Sequence, residues 1–220
     1  SGDGLNTGVD NTSLGYNALS TETSGGRSVA VGSQALGTQN VGSGTSAYNV
    51  AIGFFAGNAI STGINNTIVG GQAGDALTES DFNTAIGRLA LTADTLGSRS
   101  VALGHAALST QNFTSATDTY NVAVGFNAGA GVTTGSSNTL IGGQAGDAMT
   151  TGTNNVAVGM NAMGDGVVTG SDNTVVGVAA GRGITAGSNN ITIGALAGDS
   201  ITTGNRNTIL GYNSANSLAD

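Results

Sequence analysis

Apolar and polar residues alternate in a short motif that recurs along the whole chain. The motif consists of Asn or Ser, three mostly small or aliphatic residues, and Gly, and it occurs twelve times. The residue before each Gly is Leu, Val or Ile, and the residue two places before that is Thr, Val or Ile. An alternation with a period of two predicts a short β-strand in each motif. The motif glycines are Gly15, Gly32, Gly53, Gly70, Gly87, Gly104, Gly125, Gly142, Gly159, Gly177, Gly194 and Gly211.

The spacing of these glycines predicts how the strands are arranged. They follow a 17-residue period, which is interrupted by two 21-residue intervals and one 18-residue interval. A fixed period of this length is typical of a solenoid, in which each repeat forms one coil and stacks on the next. We therefore expect an all-β fold, a parallel β-solenoid of about twelve coils without substantial helix. At about 4.8 Å per stacked strand, the coils would form a rod on the order of 55 Å long.

Two sets of residues are candidates for the narrow interior of each coil. Ala lies three residues after the motif Gly in eleven coils. In some coils Leu or Met follows that Ala, whereas in others Gly follows and an apolar residue comes three positions later, as in Gly57 and Ile60. We interpret these as two ways of filling one interior slot, because an empty slot would cost about 2–5 kcal/mol. The strand-centre Ala residues, such as Ala123, are expected on the other strand face, where a second surface could approach closely.

The sequence also contains a longer repeat, made up of several 17-residue units. Four coils over residues 28–99 recur over residues 100–171 as a 72-residue duplication, and each copy has a 21-residue coil in the same place. We interpret residues 1–220 as a single repeat domain, part of a longer fibre, that contains this duplication.

The extra residues of the two longer coils are candidates for target recognition. Segments 41–48 and 113–120 interrupt the period, and such insertions protrude from a stacked core. They carry Tyr48, Phe113 and Tyr120, and exposed aromatic residues often anchor binding surfaces. The alternative is that these side chains pack on a neighbouring coil or protomer.

Composition excludes several classes of function. The chain has five Arg and no Lys against 13 acidic residues, with a net charge of −8, so a nucleic-acid-binding groove is not expected. Without Cys there is no disulfide, thiolate nucleophile or Cys-based zinc site. No apolar run is long enough to cross a bilayer, so we expect no membrane insertion of this segment.

Candidate catalytic and metal-binding groups are few. The single histidine, His105, has no partner in a catalytic motif, so we expect no enzymatic activity and no cofactor. Asp75, Asp147 and Asp199 share one column of the repeat; copies of that column related by symmetry could hold Ca²⁺, and a solvated turn is the alternative. The motif Asn residues could form a ladder of side-chain hydrogen bonds between coils.

The motif resembles repeats of known fibrous proteins. The sequence Asn-Val-Ala-Val-Gly at 121–125 and 155–159 resembles the Asn-Ser-Val-Ala-Ile-Gly motif of YadA-like heads in trimeric autotransporter adhesins. The 17-residue form at 83–91 is similar to repeats of phage tail fibres and bacterial surface fibres that end in an endosialidase-type chaperone. The resemblance implies a left-handed β-roll, three copies of which pack about a threefold axis. The 17-residue period is longer than that of YadA-like heads.

The resemblance also implies a function. The chain would be a structural and adhesive segment of a homotrimeric surface fibre or phage tail fibre. Its partners would be copies of itself and a glycan or protein receptor on a host surface, and its location would be extracellular, on a bacterial surface or a virion. Two alternatives come from the residues: an ice-binding solenoid, favoured by Thr-rich columns and scarce charge, and a polysaccharide-cleaving fibre domain, favoured by the available carboxylates.

Overall fold

The computed structural model describes residues 1–215, and the motifs form the strands that their alternation predicts. Strands are short because each motif has only three extended residues before its Gly. The strands are β1 (Thr12–Leu14), β2 (Val29–Val31), β3 (Val50–Ile52), β4 (Thr67–Val69), β5 (Thr84–Ile86), β6 (Gly97–Ser98), β7 (Val101–Leu103), β8 (Thr117–Asp118), β9 (Val122–Val124), β10 (Thr139–Ile141), β11 (Val156–Val158), β12 (Thr174–Val176), β13 (Ile191–Ile193) and β14 (Thr208–Leu210). The described residues contain no helix.

The chain divides into two compact units, and the motif strands stack in parallel within each. The first unit contains Ser1–Ala106 and Asn112–Asp118, and the second contains Ala107–Gln111 and the chain from Thr119 onward. Strands β1 to β5 and β7 are neighbours in the first unit, and β9 to β14 are neighbours in the second. Equivalent motif positions face each other, as with Val50 and Thr67. The prediction of an all-β parallel solenoid built from about twelve turns with a 17-residue period is confirmed.

A second, smaller sheet lies at one of the longer coils of the first unit. Strand β6 pairs in parallel with β8, with Gly97 opposite Thr117 and Ser98 opposite Asp118. The 113–120 insertion thus contributes a strand of its own.

The strand centres point into the coil, which corrects one expectation. Ala123 and the other strand-centre Ala residues are fully buried within the single chain. They therefore line the coil interior, and the expectation that they form an outer contact face was wrong. The reason is space: a coil this short encloses so narrow an interior that the methyl group of Ala is the inward side chain in six of the twelve motifs. The branched residues on either side of the centre face outward instead.

The interior slot is filled in the two ways that the sequence predicts. Leu36 occupies it directly and is fully buried. In the next coil Gly57 stands at the equivalent position, and a Cβ placed there would lie 2.9 Å from Cδ1 of Ile60. Ile60 is also fully buried. The later aliphatic residue thus takes the volume that the Gly leaves open.

The motif Gly is required by backbone contact between coils. At Gly70 the φ angle is +137°, and an added Cβ would lie 2.6 Å from the carbonyl oxygen of Gly87 in the next coil. A side chain at this position would meet backbone, which cannot rotate away. The same close approach recurs at most motif glycines and explains why Gly is required there, whereas at Gly211, in the last coil, a Cβ would meet no atom within 4 Å.

The motif Asn residues form the predicted ladder. The Oδ1 atom of Asn49 accepts hydrogen bonds from the backbone N and the Nδ2 of Asn66, at 2.9 and 3.2 Å. Nδ2 of Asn66 also donates to the carbonyl oxygen of Ser80 at 2.8 Å. Both Asn side chains are fully buried, so each amide satisfies polar backbone groups that the strands leave unpaired.

Two coils of the first unit have Ser in the ladder column, at Ser28 and Ser100, and at Ser28 a glutamine side chain completes the ladder. Nε2 of Gln39 donates to Oγ of Ser28 at 3.1 Å, and Oε1 of Gln39 accepts from Nδ2 of Asn49 at 2.8 Å. The shorter Ser side chain is thus supplemented by a buried amide from the same coil. In the duplicated coils Gln111 follows Ser100 at the same offset as Gln39 follows Ser28.

Candidate recognition surface

An uncovered apolar face runs along the motif strands of each unit. The two positions that flank each strand centre hold only Thr, Val, Ile and Leu in all twelve motifs. In the single chain the exposed fraction reaches 39% for Ile141 and 42% for Leu103. A contiguous apolar surface without charge is typical of an interaction site. We refer to these two columns as the outer face.

Large side chains extend the outer face on one side. The residue after the motif Gly varies, and in six coils it is a large apolar residue that is exposed to solvent. These residues are Tyr16, Phe54, Phe126, Met160, Val178 and Tyr212. His105 belongs to the same column and is also exposed, so it lies at the surface and not in an enclosed catalytic site.

The first insertion presents Tyr48 together with an arginine. Tyr48 lies directly before the buried Asn49. Its side chain is 52% exposed, and its φ angle is +51°. Nη1 of Arg27 donates to the Tyr48 hydroxyl at 3.3 Å, and its guanidinium lies 5.7 Å from the ring centroid. Sequence reasoning did not identify Arg27, although the recurrence of an arginine 72 residues later, at Arg99, was a signal.

The second insertion differs in the placement of its aromatic residues. Tyr120 is 55% exposed, whereas Phe113 is 9% exposed and belongs to the core of its unit. The backbone N of Phe113 donates to Oδ1 of the buried Asp94 at 3.0 Å. Phe113 is therefore a structural residue of the insertion, and of the three sequence-based candidates only the two tyrosines lie at the surface.

A buried carboxylate anchors the start of each insertion. Oε2 of Glu22 accepts a hydrogen bond from the backbone N of Val41 at 3.2 Å, as Asp94 does from Phe113. Glu22 also accepts from the backbone N of Gly25 at 2.6 Å, and Asp94 accepts from Gly97 at 3.1 Å. The two acids occupy equivalent places before the two insertions. The start of each insertion is thus held in place by hydrogen bonds to a buried acid.

The three Asp residues of the metal candidate column have different surroundings. Oδ1 of Asp75 accepts a hydrogen bond from Thr92 at 2.5 Å. Asp199 forms a bidentate ion pair with Arg182, with both contacts at 2.9 Å. Oδ1 of Asp147 is buried and has no hydrogen-bond partner. Desolvation by burial is the main reason that the pKa of Asp147 is raised.

This column does not form a metal centre within the single chain. Among residues 1–215, no group of three or more His, Asp or Glu side chains is placed to hold a metal ion. Asp199 already has a cationic partner in Arg182, and Arg182 contacts Asp165 as well, at 2.8 Å. A turn-stabilising ion pair accounts for Asp199 without a metal.

The chain matches no protein family, no curated protein and no solved structure. Within the part of the chain that the structure describes, no helix has the length and apolar character needed to cross a membrane.

Proposed function

We propose that the chain is a structural and adhesive segment of an extracellular fibre, in which three copies of a left-handed roll pack through their outer faces. The observation that carries this proposal is the uncovered outer face. Its two columns hold only Thr, Val, Ile and Leu in every motif, yet residues such as Ile141 and Leu103 are exposed in the single chain. The number of copies and the handedness come from the resemblance to YadA-like heads and tail-fibre repeats.

A second copy of the chain is the partner that best fits this face. The outer faces of two copies have the same spacing from coil to coil. Their side chains can therefore interdigitate in every coil without a change of register. The face carries no charge that would need a complementary charge on a different partner. Burial of such aliphatic side chains contributes about 25 cal/mol per Å² of apolar surface, and this gain is repeated in every coil.

Adhesion would use the surface that assembly leaves accessible. The exposed tyrosines of the insertions, Tyr48 and Tyr120, are the candidates for contact with a glycan or protein receptor on a host surface. Both lie one residue before the motif Asn, at a backbone position with positive φ. This local conformation directs the aromatic ring away from the ladder of buried amides.

Arginine substitutions on the outer face, in a turn and in the coil interior test the assembly. Ile141→Arg places a cation on the outer face, and we expect it to dissociate the trimer while far-UV circular dichroism retains the β signal. Thr134→Arg, in an exposed turn, is the matched control and should leave the trimer intact. Ala123→Arg places the charge in the coil interior and should unfold the coil, because an unpaired buried charge is strongly destabilising. A trimer that tolerates Ile141→Arg as well as Thr134→Arg would refute the proposed interface.

A further inference from the structure

A polar cleft lies beside the first insertion and is distinct from the outer face. Its volume is about 300 Å³, and it is lined by residues from three successive coils. The lining residues are Thr7, Val9, Ser24, Gly26, Arg27, Ser43, Gly44, Thr45 and Ser46. This volume is at the lower end of the range for small-molecule sites, and it suits a ligand of the size of one monosaccharide.

The chemistry of the lining points to a polyhydroxylated anion. Five of the lining residues carry hydroxyl groups, and Arg27 is the one charged residue among them. A hydroxyl both donates and accepts hydrogen bonds, as the hydroxyls of a sugar do. A guanidinium binds a carboxylate through two parallel hydrogen bonds and is the side chain best suited to that group.

Arg27 is held in place on one side and open on the other. Its Nη1 donates to Oγ of Ser46 and to the hydroxyl of Tyr48. Its Nε lies 3.6 Å from Asp10, beyond hydrogen-bond length, and both side chains are about half or more exposed. Within residues 1–215 its Nη2 makes no hydrogen bond. The edge of the guanidinium at Nη2 is thus available to a ligand.

The site around Arg27 has an equivalent 72 residues later, around Arg99, which provides an internal comparison. We refer to the two as the first and second copy of the site; they begin before the residue 28 at which the four-coil duplication starts. Arg99 is the equivalent of Arg27, and the two backbone N atoms donate at 3.0 Å to equivalent carbonyl oxygens, those of Asp81 and Val9 respectively. Arg99 pairs directly with Asp118, which stands where the first copy has Ser46. The second copy also has Glu79 and Asp81 at the places of Thr7 and Val9.

The second copy thus has carboxylates where the first has Thr7, Val9 and Ser46, whereas the first copy has Asp10 where the second has Phe82. In the second copy the arginine charge is neutralised by a neighbouring side chain of the protein. In the first copy Arg27 forms an ion pair with the exposed Asp10 at 3.6 Å, and it also lines a cleft whose other residues are uncharged. The two copies of the site therefore differ in the acid that pairs with the arginine, which is Asp10 in the first and Asp118 in the second, and in the number of carboxylates nearby.

We infer that this cleft binds the carboxylate-bearing sugar unit of an acidic glycan, with the carboxylate on Arg27 and the sugar hydroxyls on the serine and threonine side chains. The inference deepens the adhesive function proposed above and rests on it for its biological role. The Tyr48 ring, which is exposed beside the cleft, would contact the next unit of the glycan.

Titration with single sugars tests the inference. The ligands are D-galacturonic acid and N-acetylneuraminic acid, with D-galactose as the neutral control, and binding is followed by saturation-transfer difference NMR. Arg27→Met removes the guanidinium, and Ser46→Asp introduces the counter-ion of the second copy. Both should weaken binding of the acidic sugars by about tenfold or more, as expected for loss of a charge-assisted contact. Arg99→Met is the matched control and should leave binding unchanged.

Several outcomes would overturn the inference. It fails if wild type binds neither acidic sugar, if galactose binds as tightly as galacturonic acid, or if Arg27→Met binds like wild type. Light scattering on the same samples measures the oligomeric state, so that a failure of the cleft inference can be told apart from a failure of the assembly proposal. A trimer that binds no acidic sugar refutes the cleft alone, whereas a monomer that binds one supports the cleft and refutes the assembly.

Discussion

Replacing Gly70 by Ala is expected to force two stacked coils apart. The new Cβ would lie 2.6 Å from both the carbonyl carbon and oxygen of Gly87, about 0.8 Å closer than the 3.4 Å at which ordinary contact begins. The φ angle of +137° at Gly70 is a conformation that costs a residue with a side chain about 1–3 kcal/mol. Separation of the coils would also stretch the hydrogen bond from Gly87 N to Val69 O, which is 2.7 Å long.

These contributions set the magnitude. Backbone strain, together with one or two weakened hydrogen bonds of about 0.5–1.5 kcal/mol each, gives a loss of roughly 1.5–6 kcal/mol in the free energy of unfolding. That is a large part of the roughly 5–15 kcal/mol that is typical of a folded domain. The measurement is urea denaturation followed by far-UV circular dichroism, at one protein concentration for all variants.

The neighbouring glycine provides the control. A Cβ at Gly71 would meet no atom within 4 Å, and Ala195 occupies the same column in another coil. Gly71→Ala should therefore change the free energy of unfolding by no more than about 0.5 kcal/mol. If Gly70→Ala and Gly71→Ala have the same small effect, close backbone contact is not what requires the motif Gly.

Two further predictions concern buried polar groups. Asn66→Ala should lower the free energy of unfolding by about 2–4 kcal/mol, because it leaves buried backbone groups unpaired. Asn66→Ser should recover little of this loss, since the Ser28 side chain is supplemented by Gln39 and position 66 has no such glutamine. Full recovery of stability by Asn66→Ser in urea denaturation would contradict the role of the ladder. Burial and the charge of Asp165 raise the pKa of Asp147 above 3.8, so stability is highest with the proton bound and falls as pH rises through the folded-state pKa. Asp147→Asn should accordingly raise Tm at pH 7 and have little effect near pH 3, and a lower Tm at pH 7 would contradict this assignment.

The coil spacing, the ladder and the interior slot were predictable from the sequence because each depends on one column of the repeat. A residue type that recurs at a fixed offset reports a fixed backbone environment, as Asn66 and Gly57 do. These features need no knowledge of the neighbouring columns.

The direction of the strand faces was not predicted, because both faces are apolar and a period of two does not distinguish inside from outside. A usable signal was present in pairs of columns. Where the strand centre is large, as at Ile68 and Leu140, the same coil has Gly in the interior slot, at Gly74 and Gly146. The structure shows why: a Cβ at Gly146 would lie 2.8 Å from Cδ2 of Leu140, so both positions share one space.

The surface placement of the candidate recognition residues was only partly predictable. Tyr48 and Tyr120 were identified from the insertions. The sequence does not show that the Phe113 side chain is buried, or that its backbone N donates a hydrogen bond to Asp94. The cleft around Arg27 combines residues from three coils and becomes visible only when the coils are stacked.

Mass measurement of the wild-type protein tests the central claim most directly, which is that the outer face is covered by copies of the chain. Size-exclusion chromatography with multi-angle light scattering should give a particle of three times the chain mass of 21.1 kDa, unchanged on dilution through the micromolar range. A stable particle of 21.1 kDa with intact β signal would show that the outer face remains exposed and would contradict the account.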